Sequence, residues 1–475
     1  MPNRRRMLVA AVVPALAASM IGLTATVPAQ AGPAPAATVR AVDIADQLAA
    51  IPGMTVVSEE PPPAAGFRFF FLTYRQPVDH TNPGGPTFEQ RLQLLHRGAD
   101  RPMVLHTTGY NMPEYAFRSE PTQLLDGNQI SVEQRFFDPS RPNPADWSKL
   151  NIWQAATDHH RIVGALKSLY TKKWISTGAS KGGMTSVYHR RFYPRDVDGV
   201  VAYVAPNDPN NREDRAYDEF FDSVGATSAC RTALKAFQTE ALSRRTDLVT
   251  MYEAFAAEND LHFDQVFGSA DKAFEMTVLD TEWAFWQYNR ESNCGSVPEP
   301  DATNEQIFAF IDQIAGFSFY ADEGILFYAP YYYQAATELG WPQPKFKYLK
   351  GLLHYPNLYQ ANSSLPADLR SRHDAWPMVD VDSWVTRTAS QMLFVYGSND
   401  PWGAERFQPS GKDSFVYTAP GANHGVNIAA LNPADAAAAR ATVLRWAGVS
   451  PAAARSAADT SVLDSRDPRN ERRPL

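Results

Sequence analysis

Apolar residues along the chain form short runs that are separated by turn residues and by longer, helix-like stretches. Short apolar or β-branched runs bounded by turn residues predict strands, whereas apolar residues at spacings of three and four predict helices. The predicted strands lie at residues 67–74, 89–96, 102–107, 173–177, 199–205, 391–396 and 414–417. The predicted helices lie at residues 153–170, 184–193 and 432–446. This alternation is typical of a parallel sheet that is covered by helices.

The middle of the chain has a different pattern. Helical periodicity dominates there, as in residues 230–256 and 305–313, and aromatic residues are dense. Since strand–helix alternation occurs on both sides of this part, we expect one sheet-containing core with a mainly helical cap inserted into it. The expected parts are, in order, a first core part (67–206), the helical cap (207–385) and a second core part (386–450).

Both ends of the chain are expected to lie outside the core. Residues 1–31 have the features of an export signal: three arginines, an apolar stretch, and a small-residue A-x-A site that ends at Ala31. A membrane anchor is the alternative, which the prolines of this segment weaken, and the paired arginines are compatible with both the Sec and the twin-arginine routes. Residues 32–66, rich in Ala and Pro, predict a leader or an extended arm, and residues 451–475 predict a flexible tail. We therefore expect a secreted protein with no membrane attachment after signal removal.

Charge and cysteine content narrow the classes of partner and ligand. The formal net charge of -8 argues against nucleic acid as a partner. Only two cysteines occur, Cys230 and Cys294, and in an exported chain we expect them to form a disulfide. Two buried thiols too far apart to meet are the alternative. Neither cysteine has a second Cys or a His at metal-ligand spacing, so we predict no metal site.

The segment GASKGG at residues 178–183 follows a predicted strand and precedes a predicted helix. A G-x-S-x-G pattern in this context is typical of a nucleophilic serine on a sharp turn, the arrangement found in α/β-hydrolases. Such a turn exposes the hydroxyl of Ser180 and directs the backbone N–H of Lys181 toward the same space, as half of an oxyanion hole. The second donor is expected on the loop after an early strand, at Gly109 or Tyr110.

A serine nucleophile needs a base, and the base needs a carboxylate that orients it. Asp400 follows a predicted strand in the sequence GSNDPW, and His424 follows the next predicted strand in the small loop GANHG. When each residue is considered separately, the alternative interpretation is that Asp400 belongs to an ordinary Asx turn and that His424 is an ordinary loop histidine. Together their order matches the Ser, Asp, His order of α/β-hydrolases. We therefore predict an α/β-hydrolase fold with Ser180, Asp400 and His424 as a catalytic triad and with no cofactor.

Further motifs resemble two related families of serine peptidases. One includes lysosomal Pro-Xaa carboxypeptidase and dipeptidyl peptidase II, and the other comprises secreted streptomycete prolyl tri- and tetrapeptidyl aminopeptidases. The motifs are QPVDHTNP (76–83), TFEQR (87–91), GASKGGM (178–184), YP (193–194), DG (198–199), AP (205–206), YQ (333–334), TELG (337–340) and NDPW (399–402) before His424. The sequence TTGYN at residues 107–111 departs from the lysosomal pattern, which, together with the low cysteine content, favours the streptomycete branch.

The resemblance implies an exopeptidase that cleaves after proline and releases short peptides from free N-termini. We expect the protein to be a monomer. A proline ring needs an aromatic pocket, and a substrate ammonium needs a carboxylate. The aromatic candidates are Tyr331, Tyr332, Tyr333 and Trp402, and the carboxylate candidates are Glu338, Glu323 and Glu114. The alternative is that these aromatic residues are cap core and these carboxylates solvated surface groups. Two other functions stay open from the residues alone: an esterase or lipase with the same triad, and a non-catalytic binding protein on a hydrolase scaffold.

Overall fold

The computed structural model describes residues 42–452 and 460–468. The chain divides into a unit of residues 1–43 and a unit of residues 44–475. The framework of the second unit is a nine-stranded sheet in the order β1-β2-β3-β5-β4-β6-β7-β8-β9. The strands are β1 (Met54–Glu60), β2 (Arg68–Pro77), β3 (Thr87–His96), β4 (Met103–Thr107), β5 (Asn128–Val132), β6 (Trp174–Ala179), β7 (Gly199–Tyr203), β8 (Met392–Gly397) and β9 (Phe415–Ala419).

The sheet is antiparallel at one edge and parallel through the rest. β1, β2, β3 and β5 pair antiparallel, and every pair from β5 through β4, β6, β7 and β8 to β9 is parallel. Strands β4, β7 and β8 are buried along their whole length. They are continuous apolar runs because helices cover both faces of a parallel sheet. This is the α/β-hydrolase fold that the sequence predicts.

Helices cover the sheet and form the cap. Before the cap lie α1 (Ile44–Ala49), α2 (Glu120–Leu125), α3 (Ile152–Leu166) and α4 (Lys181–Phe192). The cap contains α5 (Arg215–Ser223), α6 (Ser228–Ser243), α7 (Arg245–Glu258), α8 (Ala270–Tyr288), α9 (Asn304–Ile314), α10 (Asp322–Ile325) and α11 (Ala329–Gln334). After them come α12 (Trp376–Arg387), α13 (Pro433–Trp446) and α14 (Ser461–Asp464). Within the described residues, no helix has both the length and the apolar character that a membrane crossing requires.

The cap has its own apolar core, which also includes residues from loops of the sheet-containing core. Helix α8 is buried from Ala273 to Gln287, and aromatic rings of α9 and α11 belong to the same apolar cluster. Tyr110 and Trp402, which belong to loops of the sheet-containing core, are part of the same cluster. The cap is therefore fixed to the core at the carboxyl ends of the strands, the edge at which open parallel sheets bind ligands.

Three expectations about local structure need correction. Within the expected leader or arm of residues 32–66, α1 packs with Leu48 buried, and β1 pairs with β2, so this part belongs to the core. Within the expected flexible tail of residues 451–475, α14 packs on the core with Leu463 fully buried. The guanidinium of Arg118 donates to both carboxylate oxygens of Asp464, at 2.7 and 2.8 Å.

The single helical run expected at 230–256 is two helices, which meet at Arg244. The expected export signal lies outside the described residues.

Cys230, on α6, and Cys294, after α8, form a disulfide in the cap. The bond joins two positions 64 residues apart, so it restricts the unfolded chain strongly. We expect the double variant Cys230→Ser/Cys294→Ser to lose up to about 4 kcal/mol of stability in the loop-entropy account. Thermal unfolding with and without dithiothreitol measures this loss. Reductant should lower the melting temperature of the parent and leave that of the variant unchanged; a parent that does not respond to full reduction contradicts the prediction.

Candidate active site

Ser180 lies at the turn between β6 and α4 with a strained backbone. Its φ of 56° and ψ of -130° lie in a region that residues with a side chain rarely adopt. The backbone N–H of Ser180 donates to the carbonyl of Tyr203 at the end of β7, at 2.9 Å, and this bond holds the turn. The side chain therefore projects from the carboxyl edge of the sheet at the first residue before a helix.

Glycines beside Ser180 are required by close packing of the backbone. A Cβ atom at Gly178 would lie 2.6 Å from the carbonyl oxygen of Thr107, and one at Gly182 would lie 2.8 Å from that of Thr108. Both distances are shorter than van der Waals contact, so a side chain at either position would push the loop after β4 away from the turn. The small residues that the G-x-S-x-G pattern requires are therefore explained by the neighbouring strand β4.

Asp400 and His424 lie on the loops that follow β8 and β9. Nδ1 of His424 and Oδ2 of Asp400 are 2.8 Å apart, and both side chains are buried. The other oxygen of Asp400 accepts a hydrogen bond from the backbone N–H of Trp402 at 3.2 Å. The backbone N–H of His424 donates to the carbonyl of Gln287 in α8 at 3.0 Å, so the cap also positions the histidine.

Nε2 of His424 is buried and has no hydrogen-bond partner among the described residues. His424 and Ser180 line the same cavity, of about 50 Å³. Because Nδ1 faces Asp400, Nε2 is the nitrogen left to exchange a proton with a group in the cavity. Catalytic hydrogen bonds of this kind often form only when substrate is bound. Ser180 and His424 therefore line one cavity and His424 contacts Asp400, while the catalytic triad itself stays a prediction.

The loop after β4 brings a hydroxyl group to Ser180. The hydroxyl oxygen of Tyr110 lies 3.4 Å from Oγ of Ser180, whereas the backbone N–H of Tyr110 donates to Oγ1 of Thr108 at 3.3 Å. Nζ of the buried Lys181 donates to the carbonyl of Gly109 at 2.5 Å and fixes this loop against α4. The geometry thus favours the side chain of Tyr110, together with the backbone N–H of Lys181, as donors to an oxyanion.

Comparison with known proteins identifies the family. A sequence model of the family described as PS-10 peptidase S37 matches residues 37–474. The chain belongs to this family of peptidases. It is 52% identical, over 444 residues and 92% of each chain, to a protein of Streptomyces mobaraensis named prolyl tri/tetrapeptidyl aminopeptidase. It is a serine peptidase.

Two solved structures that are similar to this S37 peptidase have a much lower sequence identity to it than the Streptomyces mobaraensis protein. Proline iminopeptidase of Mycobacterium smegmatis is 12% identical, covers 79% of this chain and 98% of its own, and has a TM-score of 0.35. Epoxide hydrolase A of Mycobacterium thermoresistibile is 17% identical, covers 78% of this chain and 98% of its own, and has a TM-score of 0.33. We draw no conclusion about activity from likeness at this level.

The aromatic candidates of the S37 peptidase occupy different places. Trp402 and Tyr331 line the cavity at Ser180. Tyr332 is fully buried in the cap core, where its ring packs on Trp341 with centroids 5.5 Å apart. The ring of Tyr333 packs on Trp147 at 5.3 Å. Of the four aromatic candidates, Trp402 and Tyr331 therefore line the cavity at Ser180, and Tyr332 and Tyr333 do not.

The three carboxylate candidates do not line the cavities at Ser180. Glu114 is exposed and pairs with Arg91 at 2.9 Å. Glu323 pairs with His262 at 2.7 Å. Glu338 is half-buried, and it accepts the backbone N–H of Ile152 at 2.8 Å and so caps the start of α3.

A different carboxylate, Asp208, lines a second cavity together with Ser180. This residue is not among the candidates that the sequence motifs provide. A signal for it is present in the chain, since Asp208 follows a buried strand closely, on the loop at the carboxyl end of β7. Polar residues at that edge of a parallel sheet are frequent members of binding sites.

Burial raises the pKa of Glu338 from its ordinary value of 4.5 to about 7. The folded state therefore holds a proton that the unfolded chain releases, so this contribution to stability is full below pH 4.5 and is lost as the pH rises to about 7. We expect Glu338→Gln to gain stability relative to the parent at about pH 8, by up to the order of 3 kcal/mol, and not below pH 4.5. Urea unfolding across this range measures the difference, with the exposed Glu114→Gln as control. A stability difference independent of pH contradicts the prediction.

The hydroxyl of Tyr110 can be tested as an oxyanion donor. We expect Tyr110→Phe to lower kcat by about 100-fold with little change in KM, because the hydroxyl stabilises charge that forms only in the transition state. Steady-state kinetics on a chromogenic peptide measures both constants. Tyr331→Phe is the matched control, since Tyr331 lines the same cavity. An unchanged kcat in Tyr110→Phe excludes the hydroxyl as a donor.

Proposed function

We propose that this S37 peptidase is a secreted exopeptidase that releases tri- and tetrapeptides from free N-termini by cleaving after proline. The observation that carries the proposal is its extensive likeness to the Streptomyces mobaraensis protein named prolyl tri/tetrapeptidyl aminopeptidase. The geometry at Ser180 supports the chemistry, and the shape of the cavity supports the specificity.

The reaction proceeds by acyl transfer to Ser180. Oγ of Ser180 attacks the carbonyl carbon of the substrate proline while Nε2 of His424 takes the hydroxyl proton. Asp400 holds the imidazole in the correct tautomer and stabilises its cation through the Nδ1 contact. The backbone N–H of Lys181 and the hydroxyl of Tyr110 stabilise the oxyanion. His424 then protonates the leaving amine, and water releases the peptide from Ser180 by the reverse steps.

The size and lining of the cavity support a compact acyl residue. The cavity of about 50 Å³ is bordered by the rings of Tyr288, Tyr331 and Trp402. Flat aromatic faces bury a rigid proline ring with little loss of conformational freedom, since proline has few rotatable bonds to fix. The long acyl chains that lipases accept need a larger and more open apolar groove.

Export is supported by two features of the chain. The features of residues 1–31 are those of a signal peptide. The disulfide of Cys230 and Cys294 is the kind of bond that persists outside the reducing cytosol. The monomeric state stays a prediction.

The proposal predicts the products as well as the rate. Mass spectrometry of a digested peptide mixture should show tri- and tetrapeptides that end in proline, released from free N-termini only. Ser180→Ala should lower turnover by more than about 1,000-fold, whereas the surface variant Ser223→Ala should match the parent. Internal cleavage, or equal cleavage of N-acetylated peptides, contradicts the exopeptidase proposal. Faster turnover of short-chain esters than of prolyl peptides favours an esterase.

A further inference from the structure

Ser180 and Asp208 line a second cavity, in addition to the cavity that Ser180 shares with His424. Its volume is about 20 Å³, which is room for one water-sized group. It adjoins the aromatic pocket, because Tyr331 and Trp402 line both cavities. Tyr217 from the cap lines it as well. An elongated substrate whose proline lies at Ser180 therefore has a side chamber next to it, lined in part by Asp208.

Asp208 is a buried carboxylate whose oxygens accept no hydrogen bond from the described part of the chain. Its exposed fraction is 3%, and both oxygens lack a partner. The backbone N–H of Trp341 donates to Oδ1 of Asn211 at 2.6 Å, and its effect on Asp208 is smaller than that of burial and of the neighbouring carboxylates. A buried carboxylate without hydrogen bonds or a counter-ion is costly, so an arrangement of this kind is expected where a ligand supplies the missing donor.

A second unpaired polar group lies in the same cavity. The hydroxyl of Tyr217 is fully buried and has no hydrogen-bond partner among residues 42–452 and 460–468. A hydroxyl both donates and accepts, whereas a carboxylate only accepts. A ligand that satisfies both groups must therefore donate hydrogen bonds, and it must fit the volume of one water molecule.

The acidic groups around Asp208 favour a positively charged ligand in this chamber. Burial, and after it the charges of Glu405 and Asp214, raise the pKa of Asp208 well above its ordinary value. Burial, and after it the charges of Asp214 and Glu213, raise the pKa of Glu405 to about 7. A positive ligand relieves this repulsion. Among the described residues, no group of three or more His, Cys, Asp or Glu side chains is arranged to hold a metal ion.

We propose that Asp208, assisted by the hydroxyl of Tyr217, binds the α-ammonium group of the substrate's N-terminal residue. A primary ammonium has three N–H donors, one positive charge and nearly the volume of water, which are the properties that this chamber requires. This inference rests on the proposed exopeptidase function and adds the residue that recognises the free N-terminus.

The same placement accounts for the release of short peptides. An extended chain advances about 3.3 to 3.6 Å per residue. Because Ser180 and Asp208 line one cavity, only a few residues fit between the cleaved carbonyl and the bound ammonium. Cap residues Gly340 and Pro342 line the chamber and limit longer extensions of the substrate.

The test compares a prolyl tripeptide anilide with a free N-terminus and its N-acetylated form. For the parent, kcat/KM should favour the free substrate by at least about 100-fold, since a buried ammonium–carboxylate pair is lost in the acetylated form. Asp208→Asn should lower kcat/KM for the free substrate by a similar factor, mainly through KM, and leave the acetylated substrate unchanged. The preference for a free N-terminus should therefore collapse toward one.

Two controls separate binding from folding. A fluorophosphonate probe, which needs the triad but no ammonium site, should react with Asp208→Asn at the parental rate. Glu323→Gln is the control variant, because Glu323 is a cap carboxylate that pairs with His262 at 2.7 Å and does not line the chamber. It should keep the parental preference for a free N-terminus.

The outcomes are distinguishable. A parent that cleaves both substrates equally contradicts the proposed exopeptidase function. A parent that prefers the free N-terminus, together with an Asp208→Asn variant that labels normally and keeps this preference, overturns the role of Asp208 and leaves the exopeptidase function intact. If Asp208→Asn fails to label, Tyr217→Phe decides: a preference reduced by about 10-fold supports the ammonium site, and an unchanged preference overturns it.

Discussion

Close contact between the loop after β4 and the turn at Ser180 is the constraint on which the site depends. The strained backbone of Ser180 costs about 1 to 3 kcal/mol, and the surrounding packing must supply this. The Ser180 N–H bond to Tyr203 and the hydrogen bond from Oγ1 of Thr107 to the carbonyl of Gly182, at 2.7 Å, hold three neighbouring strands and α4 in one arrangement. The positions of Ser180 and of the Tyr110 loop are therefore set by the central strands of the sheet.

Two buried carboxylates that we place near Ser180, Asp400 and Asp208, have opposite environments, which fits the different roles that we propose for them. Asp400 is paired with His424 and accepts a backbone N–H, so its charge is satisfied within the protein. Asp208 has no such partner among the described residues and faces other acidic groups. A protein gains no stability from an unpaired buried carboxylate. The carboxylate of Asp208 therefore lowers stability in the free protein. We interpret this loss as the cost of a binding site that a cationic group completes.

The sequence predicts those features that depend on local pattern and chain order. Continuous apolar strands, the small residues around Ser180 and the order Ser, Asp, His are all visible in the printed chain. Strand β5 is not predictable in this way, because the polar residues of Asn128–Val132 give no apolar run, although all five are buried in the sheet. The sequence motifs make Glu338 a candidate for ligand binding, yet its carboxylate caps α3, a contact across 186 residues of chain. The roles that we propose for Asp208 and for the hydroxyl of Tyr110 also depend on contacts between residues far apart in the chain. A short sequence motif cannot predict such contacts.

The most direct test of the account is the site at which an active-site reagent becomes attached. The protein is treated with a fluorophosphonate until peptidase activity is lost, and is then denatured and digested with trypsin. Fragment-ion spectra of the peptide of residues 174–181 distinguish Ser176 from Ser180. The account predicts about one label per chain, on Ser180, in proportion to lost activity. Label on another serine, or full loss of activity without label on Ser180, contradicts it.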